Sequence, residues 1–201
     1  MRSVTYSMGV SLDGYIVGPD GKFDWADPDE ELFRFATDEV RGLAVHLMGR
    51  RLYEAMLYWE TAEQDPSVND LEREFAAIWK ALPKVVFSST LQPPLSWSNT
   101  QLVSDDAVDA VREMKKNGTS PLRTLGSLAL CRSLLTAGLV DRFRVVVFPV
   151  VTGSTGRERI YDGYPDVAMT MVGNQTFDGR LQLLEYVPTV LTGPPGVHAV
   201  S

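Results

Sequence analysis

The sequence predicts an α/β fold: a mainly parallel sheet with helices on both faces and an antiparallel hairpin at its C-terminal edge. Three observations carry this. Short apolar runs rich in valine alternate with segments of helical periodicity through most of the chain. The pattern then changes near the C-terminus to two long alternating runs around Asp178-Gly179, a hairpin signal. Finally, 201 residues with 44% hydrophobic and 22% charged residues suit one globular domain that can bury its own core.

Each element follows from local chemistry. Val4 to Leu12 alternates and ends at the turn residues Asp13-Gly14. Tyr15-Ile16-Val17 forms a further short strand before the loop Gly18-Pro19-Asp20-Gly21. Asp27-Pro28-Asp29 opens a helix, with acids at its positive end and a stripe of Leu32, Phe33, Phe35, Ala36, Val40 and Leu43. Ala44 to Met48 is a buried strand that runs into Gly49-Arg50-Arg51 and a second helix. Leu71 to Leu82 is helix, Lys84 to Phe87 strand, Thr100 to Val103 strand, and Ala107 to Lys116 an amphipathic helix stopped at Asn117-Gly118. Leu122 to Leu125 is strand, followed by Gly126-Ser127, a helix from Leu128 to Ala137 and its cap Gly138. Arg142 to Val151 is a long strand whose exposed edge needs covering. Gly153-Ser154-Thr155-Gly156-Arg157 reads as a flexible turn, with a substrate-side loop as the alternative. Residues 193–201 read as a loose tail after a domain spanning 1–192.

Composition excludes several function classes. A formal net charge of −7 disfavours nucleic acid and anionic membrane surfaces as main partners. No run of about 18 apolar residues exists to span a bilayer, and the N-terminus lacks the apolar core of a signal peptide. Cys131 is the only cysteine, so neither an internal disulfide nor a cysteine zinc cluster can form, and a reducing cytoplasm fits. Cys131 lies in an apolar stretch and reads as core. His46 and His198 are too few for a histidine metal cluster, so no metal site is expected. There is no Gly-x-Gly-x-x-Gly after the first strand and no P-loop.

Three corners share one arrangement: an apolar strand, small or basic residues, then a helix or turn. They are Met48-Gly49-Arg50-Arg51, Phe87-Ser88-Ser89-Thr90 and Leu125-Gly126-Ser127-Leu128. A helix start offers unpaired N–H groups to an anion. Glycine lets a phosphate approach the backbone, and arginine adds a bidentate fork. Ser127 has a plainer reading as a helix N-cap. Three such corners at the carboxyl ends of parallel strands would hold an extended dinucleotide, provided that they converge in space.

These residues carry a resemblance. Ser11-Leu12-Asp13-Gly14-Tyr15-Ile16, Met48 to Glu54, Lys84 to Leu91, Gly126-Ser127, Gly138 to Asp141 and Phe148 to Val151, in that order, make the chain similar to the dihydrofolate reductase-like superfamily. Within it, the chain resembles the reductase domain of riboflavin biosynthesis deaminase-reductases. The resemblance implies a three-layer α/β/α dihydrofolate reductase-like fold with about eight strands, and a homodimer. It also implies NADPH as cofactor and a small heterocyclic, pterin- or pyrimidine-like substrate reduced by hydride transfer. Gly49, Arg50 and Arg51 match the family segment around the cofactor phosphates. Ser88 and Ser89 match the adenosine half, and Gly126, Ser127 and Leu128 the corner under the pyrophosphate. Ile16 matches a position beside the nicotinamide, and Gly18 to Trp25 the mobile active-site loop. Two departures stand out: Leu52 replaces a common threonine, and Ser127 a common glycine. The acid that folate reducers carry falls on Glu30 counting forward from Trp25 and on Phe33 counting back from Gly49. Glu30 or Asp24 is the expected proton source, and Trp25 either closes over the substrate or packs the loop. Two other readings stay open: a nucleotide-binding or structural homologue without turnover, and a flavin-binding doubly wound protein.

Overall fold

In the computed structural model, residues 1–196 are described apart from Asp27 and Ser98. The tail expected at 193–201 lies outside the described residues from Val197 onward. An eight-stranded sheet forms the middle layer, in the order β5-β4-β3-β6-β1-β7-β10-β9. The strands are β1 (Val4–Ser11), β3 (Val45–Gly49), β4 (Lys84–Phe87), β5 (Thr100–Val103), β6 (Leu122–Leu125), β7 (Arg142–Phe148), β9 (Val167–Phe177) and β10 (Leu181–Val190). Pairings from β5 across to β7 are parallel, whereas β10 runs antiparallel to both β7 and β9. The helices are α1 (Glu30–Arg41), α2 (Arg50–Met56), α3 (Asp70–Ala81), α4 (Ala107–Lys116) and α5 (Leu128–Thr136).

The alternation of β1 explains the two cores. Val4, Tyr6, Met8 and Val10 point to one face and pack with Val111 of α4 and Leu130, Leu134 and Leu135 of α5. Cys131 is buried in the same cluster, as the apolar reading expects, and burial raises its thiol pKa. The opposite face is covered by α1, α2 and α3 through Val40, Tyr53, Phe75 and Trp79. Lys84 is buried there because its ammonium does a structural job. Nζ donates to the carbonyls of Trp79 and Leu82, capping the end of α3, and lies 4.7 Å from the centre of the Trp97 ring. Burial pulls its pKa down to about 8.

Two expectations are corrected. The long valine-rich strand is not an edge: β7 lies between β1 and β10, and the outer edge is β9. The covering strand is supplied by the chain itself when the C-terminal hairpin returns antiparallel. The segment after β7 is also more than a flexible turn. Gly153–Thr155 is one turn of 3-10 helix, and Arg157–Arg159 is a strand, β8, which pairs with β2 (Tyr15–Val17) as a separate two-stranded ribbon. Among the described residues no helix is long and apolar enough to cross a membrane.

Candidate functional site

The three corners meet. β3 lies between β4 and β6, so their carboxyl ends are neighbours. The Gly49 N–H donates to Ser127 Oγ at 2.8 Å, which ties the β3 corner to the β6 corner. Arg50 Nη1 donates to Thr90 Oγ1 at 3.0 Å, which ties it to the β4 corner. Residues 49, 90 and 127 are thus linked although 78 positions separate Gly49 from Ser127.

The helix starts at these corners differ from the others. Asp29 caps α1, Asn69 and Glu72 form a capping box on α3, and Asp106 caps α4. Neither α2 nor α5 has a side-chain cap. Ser127 stands at the N-cap of α5 but makes no side-chain cap bond. Its hydroxyl instead accepts from Gly49, so the first N–H groups of α5 receive no bond from it.

Space at the corners is set by glycine. Gly126 has a φ of 65°, a left-handed conformation, and a Cβ there would lie 3.3 Å from Leu52 Cδ1. A Cβ on Gly49 would lie 3.4 Å from Ser127 Oγ. Ser88 Oγ accepts from the N–H groups of Thr90 and Leu91, folding the β4 corner into a tight turn, and Ser89 is exposed. Leu128 is half-buried against the core. Arg50 reaches Glu54 at 2.7 Å, and Arg51, 87% exposed, reaches Glu158 at 2.9 Å. Two arginines and two helix starts without side-chain caps form a donor set that fits the phosphates of a dinucleotide.

The remaining expected residues sit along the sheet at the β1 and β7 end. Ile16 is buried in the core cluster that also holds Ile160. Trp25 packs edge-on against Phe148, with ring centres 5.9 Å apart, and its indole N–H is buried without a partner. Asp24 is exposed and lines a depression of about 340 Å³ with Phe23, Ala26 and Pro28. Glu30 lies on the first turn of α1, 73% exposed, with its carboxylate engaged by Arg34. Phe33 is not at the surface of this region but packs against Trp59 and Phe75. Among the described residues no group of three or more His, Cys, Asp or Glu is placed to hold a metal ion.

Asp13 and Asp29, legible in the sequence only as a turn residue and a helix opener, also contribute here. Asp29 caps α1 through Oδ1 and leaves Oδ2 buried without a partner. Asp13 accepts from Ser11 Oγ at 2.7 Å, from the Gly153 N–H at 2.8 Å and from the Thr152 N–H at 3.2 Å. It fastens the β1–β2 corner to the loop that precedes β8. The Ser11 hydroxyl, followed by the two backbone donors, holds its pKa down at about 2 against an ordinary 3.8. Because the folded-state value is the lower one, the stabilisation is complete above about pH 4 and is lost as pH falls towards 2. Asp13→Asn is therefore expected to lower the thermal midpoint at pH 7, with the gap from wild type closing in melts taken towards pH 2. A gap independent of pH would show that the carboxylate charge is not what fastens the loop.

With this geometry in view, comparison with known proteins decides the family. The model of the RibD C-terminal domain matches residues 2–183. The chain belongs to the RibD C-terminal domain family. Its fold is accordingly dihydrofolate reductase-like. YyaP of Bacillus subtilis, itself uncharacterised, is 28% identical over 187 residues, covering 92% of this chain and 94% of YyaP. A Shewanella sp. PV-4 protein named for riboflavin biosynthesis superposes with a TM-score of 0.69 at 18% identity, over 94% of this chain and 99% of its own. A Thermotoga maritima diaminohydroxyphosphoribosylaminopyrimidine deaminase/5-amino-6-(5-phosphoribosylamino)uracil reductase superposes at 0.64 with 15% identity. This RibD-family chain covers 57% of that bifunctional protein, and 94% of itself is covered. At these identities the solved structures speak for the fold.

Proposed function

We propose that this chain is an NADPH-dependent reductase of a small heterocycle, pterin- or pyrimidine-like. The observation that carries the reading is the junction of the three corners through the Gly49–Ser127 and Arg50–Thr90 bonds. Bound there, NADPH would supply a hydride to an electrophilic C=N or C=O carbon. Arg50 and Arg51 would hold phosphate, and Arg50, which reaches the β4 corner, would favour NADPH over NADH because a 2′-phosphate adds nearly two negative charges. Gly126 would let the pyrophosphate approach the backbone, and Ser88, Ser89 and Leu128 would bound the adenosine and pyrophosphate halves. Ile16 is proposed as the floor beneath the nicotinamide, and Trp25, packed on Phe148, as the anchor of the loop whose Phe23 and Asp24 line the depression. Of the two expected acids, Asp24 is the better placed proton carrier. It lines the depression, whereas Glu30 spends its carboxylate on Arg34.

Tryptophan fluorescence titrated with NADPH, followed by cofactor oxidation over a panel of pterins, pyrimidines and quinones, tests the reading. Saturable binding with turnover by one substrate class, slowed in Asp24→Asn, is expected. Absence of binding at millimolar NADPH would end it. The exposure of both acids favours one second reading, a cofactor-binding homologue without turnover. Binding without oxidation across the whole panel would select it. The expected homodimer is proposed at β9, the outer edge, whose eleven residues carry no charge and whose Met171 and Val172 are about half exposed.

A further inference from the structure

Glu158 is one of two non-glycine residues with positive φ among the described residues, at 57°. A side chain in that region is strained and persists only where its neighbours hold it. The neighbours here are Arg157 and Arg159, which pair with Val17 and Tyr15 of β2. Arg159 is held in turn, with its guanidinium 5.2 Å from the centre of the Tyr15 ring and Nη2 donating to the Asp13 carbonyl. The backbone is thus fixed on both sides of Glu158, and its carboxylate reaches Arg51 Nη1 at 2.9 Å, 107 residues away. The contact joins the first turn of α2, which follows β3, to the β2–β8 ribbon, which extends from β1.

We propose that Glu158 is an internal competitor for the cofactor phosphate. Its carboxylate neutralises Arg51 while the corner is empty, so loading the corner exchanges one anion for another. An arginine keeps its charge at neutral pH and takes whatever anion is nearest. The exposure of both partners keeps the pair weak enough to exchange. A pyrophosphate, carrying two charges over its two linked phosphates and able to accept a bidentate fork, displaces a single carboxylate. When it does, β8 loses its side-chain tie to α2, while pairing with β2 and the bonds to Asp13 keep the ribbon that carries Ile16 in place. Filling the phosphate corner and releasing Glu158 from Arg51 are then one event. The inference rests on the proposed NADPH site, and the experiment separates the two.

NADPH and, separately, inorganic pyrophosphate are titrated into wild type, Glu158→Gln, Arg51→Ala and the double variant, with thermal melts confirming that each is folded. Glu158→Gln is expected to bind both ligands about two- to fivefold more tightly, the range that an exposed ion pair allows. In the Arg51→Ala background the same substitution should change nothing, because the coupling requires the arginine. A gain with pyrophosphate but no NADPH binding in any variant would sink the reductase reading and keep the competitor. Unchanged or weaker binding in Glu158→Gln, an equal gain without Arg51, or binding of neither ligand would overturn the competitor.

Discussion

Arg50→Ala/Arg51→Ala should weaken NADPH binding by about a hundredfold or more, since one hydrogen bond to a charged group from each arginine contributes roughly 1.5–3 kcal/mol, about 3–6 kcal/mol for the two, and 1.4 kcal/mol is a factor of ten. The loss should fall on affinity and not on folding. Arg50 and Arg51 are 50% and 87% exposed in their side chains, and their partners Glu54 and Glu158 are themselves 45% exposed. Ion pairs of that kind add little to stability. The two substitutions also differ in kind. Arg50 leans towards the β4 corner, where Ser88 and Ser89 lie, so its loss should erase the preference for NADPH over NADH. Arg51 leans towards the ribbon, so its loss should weaken both cofactors alike. The salt dependence of the dissociation constant should become shallower in each variant, because fewer charges are neutralised on binding.

Gly156→Ala should destabilise the fold by about 1–3 kcal/mol, the usual cost of forcing atoms into filled space. The backbone angle is not the reason, since φ at this position is −63° and any residue adopts it. The reason is contact. A methyl group there would overlap Thr152 Oγ1 and the Tyr15 ring, whose Cδ2 would lie 2.6 Å away. Neither neighbour moves cheaply. Tyr15 is paired through β2 to Arg159, and the Thr152 N–H is bonded to Asp13. For a chain of this length the thermal midpoint should fall by about 2–4 °C for each kcal/mol. Gly42→Ala is the control. Its Cβ would meet nothing closer than 3.8 Å, and its φ of −81° is ordinary, so its midpoint should stay near wild type. Because the ribbon carries Ile16, Gly156→Ala should also weaken NADPH beyond what its loss of stability explains.

Much of this fold is legible in the sequence, for local reasons. β4, β5, α4 and β6 occupy the residues that periodicity and turn chemistry assign, because they are bounded by Ser, Pro, Asn, Asp or Gly on both sides. The three corners are legible for the same reason, each being a strand that stops at small or basic residues. What escapes is non-local or very short. β8 is Arg157-Glu158-Arg159, three exposed charged residues whose strand character exists only through β2. The interior position of β7 depends on a hairpin that returns about 35 residues later, and no pattern within Arg142–Phe148 reports it. Ser127 has the chemistry of a cap, and only the closeness of Gly49 diverts its hydroxyl. The acid near the loop turns on a single residue. With the helix starting at Glu30, Asp29 becomes the half-buried cap and Glu30 the exposed partner of Arg34.

The crystal structure of this chain with NADPH bound tests the central claim most directly. In that complex the pyrophosphate is expected against Gly126 and the start of α5, the 2′-phosphate on Arg50, and Glu158 turned away from Arg51. NADPH bound away from the β3, β4 and β6 corners, or crystals that take up none at millimolar concentration, would contradict it.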